Sequence, residues 1–92
     1  MVIDYPLYFT PNSDGYNDTW NIYSIDTQPD AIIYIFDRYG RLLKQLNPKG
    51  KGWDGTYNGN LMPTNDYWFT VEYREPKTNE RKIMKAHFTL KR

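Results

Sequence analysis

Cysteine is absent from this chain, so neither a disulfide framework nor a thiolate metal site is available to it. Alanine occurs only at Ala31 and Ala86, serine only at Ser13 and Ser24, and histidine only at His87. So few alanines argue against stable helices. A lone histidine in an alternating segment, with no thiol, no serine in a Gly-x-Ser-x-Gly elbow and no glycine-rich phosphate loop, leaves little for catalysis. Asp14 and Asp18 form the one carboxylate pair to weigh, and both sit in a single short loop of a chain too small for an obvious substrate cleft. The chain therefore reads as a non-enzyme. No apolar run approaches the roughly 18 to 20 residues that cross a bilayer, and the first residues lack the charged and apolar regions of a signal peptide. Twelve Lys and Arg against eleven Asp and Glu leave a net charge of +1. With the basic residues reading as spread along the chain, nucleic-acid and membrane binding are both set aside.

What is present is aromatic. Phe, Trp and Tyr make up 17% of the 92 residues, including nine Tyr and three Trp. Such side chains suit a pleated, half-buried surface, and a chain of this length forms one domain, residues 1–92, whose core must supply its own stability. Residues 2–9 read as a first strand that Pro6 demotes to an edge. TWNIY (19–23) alternates like a half-buried strand, and AIIYIFD (31–37) reads as a central strand. Arg38-Tyr39-Gly40 turns the chain into RLLKQL (41–46) as a hairpin. Residues 47–59 carry four of the six glycines and read as irregular, although Asp54-Gly55 and Asn58-Gly59 are tight-turn dipeptides. YWFTVEYRE (67–75) and RKIMKAHFTLKR (81–92) read as two long strands joined by 76–80. Within the first of these, Tyr67, Phe69, Val71 and Tyr73 share one face and Trp68 lies on the other. Trp68 either packs beneath a loop, the favoured reading, or stands exposed as a platform for sugar or a partner protein. The sum is an all-β, immunoglobulin-like antiparallel sandwich of about seven strands.

The stretch FTPNSDGYNDTW (9–20) crowds short polar side chains between Phe9 and Trp20. Asn12, Asp14, Asn17 and Asp18 could place oxygens around calcium, with Gly15 permitting the bend. Tyr16 occupies a position where a ligand would be expected, and side-chain bonds to the loop's own backbone explain the same residues without an ion. The second reading is favoured, and no cofactor is expected.

Three stretches together resemble one family: FTPNSDGYNDTW (9–20), IYIFDRYGRLL (33–43) and GWDGTYNGNLMP (52–63) are similar to the gliding-motility-associated C-terminal domain, the type B sorting domain of the type IX secretion system. The likeness continues through DYWFTVEY (66–73) to KAHFTLKR (85–92). Ser13 and Tyr16 depart from the family's usual glycine and aliphatic residues. Thr64-Asn65-Asp66 replaces its Ser-Gly, Asn65 being able to take the left-handed conformation of that glycine.

The resemblance implies a domain cut from the end of a larger secreted or cell-surface protein, whose own signal lies elsewhere and which passes through the periplasm. The folded domain would be read by the outer-membrane translocon, including a PorP- or SprF-like protein. The expected recognition surface comprises the first loop (Asn12, Asp14, Gly15, Asn17, Asp18), the turn Arg38-Tyr39-Gly40, and Lys91 with Arg92. Pairing through the last strand's backbone is one route. Trp20, Trp53, Asp54 and Gly55 are expected to be structural. Arg38 and Tyr39 have an alternative role, bracing the Trp53-Asp54-Gly55 loop through Asp54 and the Trp53 ring. A monomer is expected, though free edges offer a route to pairing. The competing function is a carbohydrate- or surface-binding module that uses Trp68 or Trp53 as a stacking platform.

Overall fold

The structure, a computed structural model, describes residues 3–11, 18–25, 28 and 30–92. Seven strands occur among them: β1 (Tyr8–Phe9), β2 (Ile32–Phe36), β3 (Leu42–Leu46), β4 (Thr56–Tyr57), β5 (Asn60–Leu61), β6 (Asn65–Arg74) and β7 (Arg81–Leu90). Five build one sheet in the order β1-β7-β6-β2-β3, while β4 and β5 form a two-stranded sheet. The all-β sandwich expected from the sequence is thus observed, and so are the β2–β3 and β6–β7 hairpins. Alternation along β6 buries Tyr67, Phe69, Val71 and Tyr73. Ile33 and Ile35 of β2 and Phe88 and Leu90 of β7 bury the same face of the sheet.

The second layer is mostly irregular chain pinned by aromatic rings. Trp20 stacks on Phe88 at a centroid separation of 4.0 Å, and Trp53 meets Tyr67 edge-on at 5.1 Å. Tyr5 meets Phe69 edge-on at 5.0 Å. Each buried ring contributes on the order of 2 to 3 kcal/mol by leaving water, and each indole N–H finds a carbonyl. The Trp20 indole donates to Pro6 O at 2.7 Å and that of Trp53 to Thr56 O at 2.9 Å.

Four expectations are corrected. The strand read at 2–9 shrinks to Tyr8–Phe9 and pairs parallel with β7. Upstream, side chains take the carbonyls a ladder would use: Trp20 bonds Pro6, and Ser24 Oγ donates to Asp4 O at 2.7 Å. TWNIY is not a strand. Trp20 alone bridges to Trp53, with both N–H groups donating at 2.8 Å, before the chain turns through a 3-10 segment at Tyr23–Ile25. Asn21 diverts it there, its buried side chain accepting the Ile22 N–H and donating to Asn47 O and Gly50 O. Residues 47–59, read as irregular, contain β4. Asn58 and Gly59 adopt φ of 52° and 80° and turn it into β5, as a tight hairpin requires. Asn65 is not left-handed; it opens β6 opposite Leu90, because pairing holds it extended.

Candidate recognition surface

The sheet register gathers distant parts of the sequence. Phe36 lies opposite Trp68, Asn65 opposite Leu90, and Phe9 beside Leu90. The chain leaving β1, the β2–β3 turn, the start of β6 and the end of β7 therefore emerge at one end of the sandwich.

At that end Asp37 builds the β2–β3 turn. Its Oδ1 accepts the N–H groups of Tyr39 and Arg41 at 2.9 Å each, and Oδ2 lies 3.1 Å from Arg41 Nε. Burial alone would raise its pKa; the two backbone donors and the Arg41 guanidinium outweigh burial and hold the carboxyl below the usual range. Gly40, at φ +82°, completes the reversal. Because Asp37 satisfies the turn, Arg38 and Tyr39 are free to project. Tyr39 is 79% exposed, with the Arg38 guanidinium over its ring at 4.9 Å and donating to its hydroxyl at 2.7 Å. The brace to Asp54 and Trp53 is not made. Arg41, one turn later, instead stacks on Tyr57 at 4.9 Å. Sequence reasoning missed Asp37, although an Asp two residues before a turn's N–H is a recognisable Asx-turn signal.

The Gly52-Trp53-Asp54-Gly55 stretch owes its conformation to close approach. A Cβ on Gly52 would lie 2.6 Å from Trp20 O, and one on Gly55 would lie 3.0 Å from Leu90 Cδ1 and 3.1 Å from an Arg92 guanidinium nitrogen. Asp54 Oδ1 accepts the Thr56 hydroxyl at 2.7 Å and the Thr56 N–H at 3.1 Å; the hydroxyl bond leads in keeping this carboxyl below its ordinary range.

The last two residues separate in role. Arg92 is a clasp: its N–H donates to Thr64 Oγ1 at 2.9 Å, Nε to Met62 O at 2.6 Å, and a terminal nitrogen to Gly55 O at 2.9 Å. Lys91 lies over the Tyr8 ring at 4.7 Å and stays exposed. Pro11 and Asp18, which flank the first loop, line a cavity of about 280 Å³ with Thr19, Asp54, Leu61 and Arg92. The remaining first-loop candidates, Asn12, Asp14, Gly15 and Asn17, lie outside the described residues.

The model of one protein family, CHU_C, the type IX secretion signal domain, matches residues 3–90. The chain belongs to this family. No curated protein and no solved structure matches the chain. Membership makes it a secretion signal, whose role is export from the cell to its surface or surroundings.

Two further expectations for this type IX secretion signal domain change in the light of its fold. Trp53 is 1% exposed and cannot serve as a platform, whereas Trp68 is 40% exposed on the outer face, its ring centroid 6.2 Å from that of His87. The last strand is an edge over part of its length only: its end is covered by β1, and no described strand covers residues 81–88 on that side. β6 pairs along the whole of β7, and on the other side Leu7 O and Phe9 O accept the N–H groups of Thr89 and Lys91. Among the described residues, no three His, Cys, Asp or Glu side chains converge in a metal-binding group.

Proposed function

We propose that this domain closes a larger secreted or surface protein, is carried to the periplasm by a signal elsewhere in that protein, and is read there as a folded unit by the type IX translocon. In this reading the partner is an outer-membrane protein of the PorP or SprF kind, and the domain performs no chemistry. The contact is the end of the sandwich that bears Arg38, Tyr39 and Gly40, the exposed Lys91, and the first loop with Asn12, Asp14, Gly15, Asn17 and Asp18.

The observation that carries this reading is the segregation of roles at that end. Asp37 holds the β2–β3 turn and Arg92 holds Gly55, Met62 and Thr64, while the side chains of Arg38 and Tyr39 bond only each other among the described residues and remain on display. A solvent-facing Tyr with an Arg beside it has the composition of an interface anchor.

The test joins the 92 residues to the C-terminus of a periplasm-targeted fluorescent reporter, in strains with and without a working type IX translocon. Reporter should reach the medium only where the translocon works. Changing Arg38 and Tyr39 to alanine together should reduce export severalfold while the melting temperature stays within about 2 °C, since exposed substitutions cost little. Undiminished export of that folded variant would remove the turn from the contact.

The exposure of Trp68 favours one other reading, a carbohydrate-binding surface on the outer face. Tryptophan fluorescence during titration with polysaccharide fragments distinguishes them, because a sorting domain should give no change.

A further inference from the structure

β3 ends the five-stranded sheet, and no strand among the described residues pairs with its far side. An open edge of this kind presents backbone donors and acceptors to any extended chain that reaches it. It is five residues long, contains no proline, and exposes Leu42, which is 47% accessible.

The segment that carries this edge is strongly basic, with Asp54 near Lys44 and Asp30 near Gln45 and Leu46 as acids contributed by other segments. Residues 37–51 hold five of the twelve Lys and Arg (Arg38, Arg41, Lys44, Lys49 and Lys51) but only one of the eleven Asp and Glu. That one, Asp37, is buried and committed to the turn and to Arg41. The segment thus carries +4 while the rest of the chain carries −3. The basic residues are thus less evenly spread than they first read: five fall in this one stretch, on β3 and its two flanking turns.

We infer that the β3 edge is a docking site for an extended, acidic segment of a partner protein, which adds to the sheet as a sixth strand beside Leu42–Leu46. Lysine on an edge strand also blunts self-association, and that is compatible with this inference. The part of β7 that no described strand covers carries Arg81, Lys82 and Lys85, so pairing two copies through these edges would set like charges together. A strand bearing Glu or Asp meets no such repulsion. Backbone pairing at an edge selects a polypeptide, because an anionic headgroup has no ladder to offer. The inference goes beyond the sorting reading and does not require it.

The probe is a synthetic ten-residue peptide alternating Val and Glu, titrated into the isotope-labelled domain and followed by amide chemical shifts. A peptide alternating Val and Lys serves as the control. Shifts should appear at residues 42–46 and the adjoining turns with the Glu peptide only. The double change Lys44→Glu with Lys49→Glu, both exposed, should leave the spectrum folded and weaken binding about tenfold or more, as two charge reversals imply. Three results overturn the inference: equal response to both peptides, shifts centred on β7 or the outer face, or β3 shifts that grow with protein concentration in the absence of peptide. The last would make the edge a site for a second copy. Reporter export is a separate readout, so loss of peptide binding with intact export would leave the sorting reading in place.

Discussion

Gly52, Gly55 and Gly59 share a positive φ, yet their surroundings rank them. A Cβ at Gly59 meets nothing within 4 Å, one at Gly55 meets the ends of Leu90 and Arg92, and one at Gly52 meets the Trp20 backbone. Alanine at Gly59 should cost only the left-handed penalty of about 1 to 2 kcal/mol. Gly55→Ala should cost more, and Gly52→Ala most, since backbone cannot swing aside and the Trp20–Trp53 bridge must open. Thermal melts of the three variants check the order; a Gly59 variant as damaged as the Gly52 one would contradict it. Asp37 gives a second prediction. Its folded pKa lies below the ordinary value of 3.8, so its stabilisation is present above that value and is lost as pH falls through the folded pKa. Asp37→Asn should lower stability at neutral pH by roughly 1 to 2 kcal/mol and flatten the decline that the wild type shows as pH falls below the ordinary carboxylate value. Urea melts at several pH values provide the comparison, and equal slopes for the two proteins would refute this assignment.

Among the elements, the long ones were legible and the short ones were not. β2, β3, β6 and β7 announce themselves by alternation and by the turn residues between them, and local sequence is enough to place them. β1 and the Trp20 bridge have no such signal. Their pairing depends on Leu90 and Trp53, far along the chain, and on Asn21, whose side chain replaces ladder bonds that alternation in TWNIY seemed to promise. Of the candidate surface, the exposed turn was readable from Arg38-Tyr39-Gly40. Arg92's role was not, because its partners Gly55 and Met62 are brought to it only by tertiary packing. The clasp makes its own prediction: Arg92→Ala should lower stability by about 1 kcal/mol and speed amide hydrogen exchange in β4 and β5 more than in β2 and β3. Uniform acceleration across the sheet would show that Arg92 does not act on the β4–β5 hairpin in particular.

For the whole molecule, the property on which the proposed recognition depends is that its candidate residues, from separate parts of the chain, meet only after folding. A linear tail cannot bring Tyr39, Lys91 and the flanks of the first loop to one end, whereas this sandwich does. The most direct measurement is export of the same reporter carrying Trp20→Ala. That change leaves every exposed side chain in place but removes a fully buried ring stacked on Phe88, at a cost of about 3 to 5 kcal/mol. A domain of 92 residues lies toward the low end of the usual total of about 5 to 15 kcal/mol, so this loss leaves little or no net stability, and circular dichroism gives the fraction that remains folded. Export should collapse in step with the folded fraction. Wild-type export from a demonstrably unfolded Trp20→Ala domain would contradict it, and would mean that the translocon reads a linear segment.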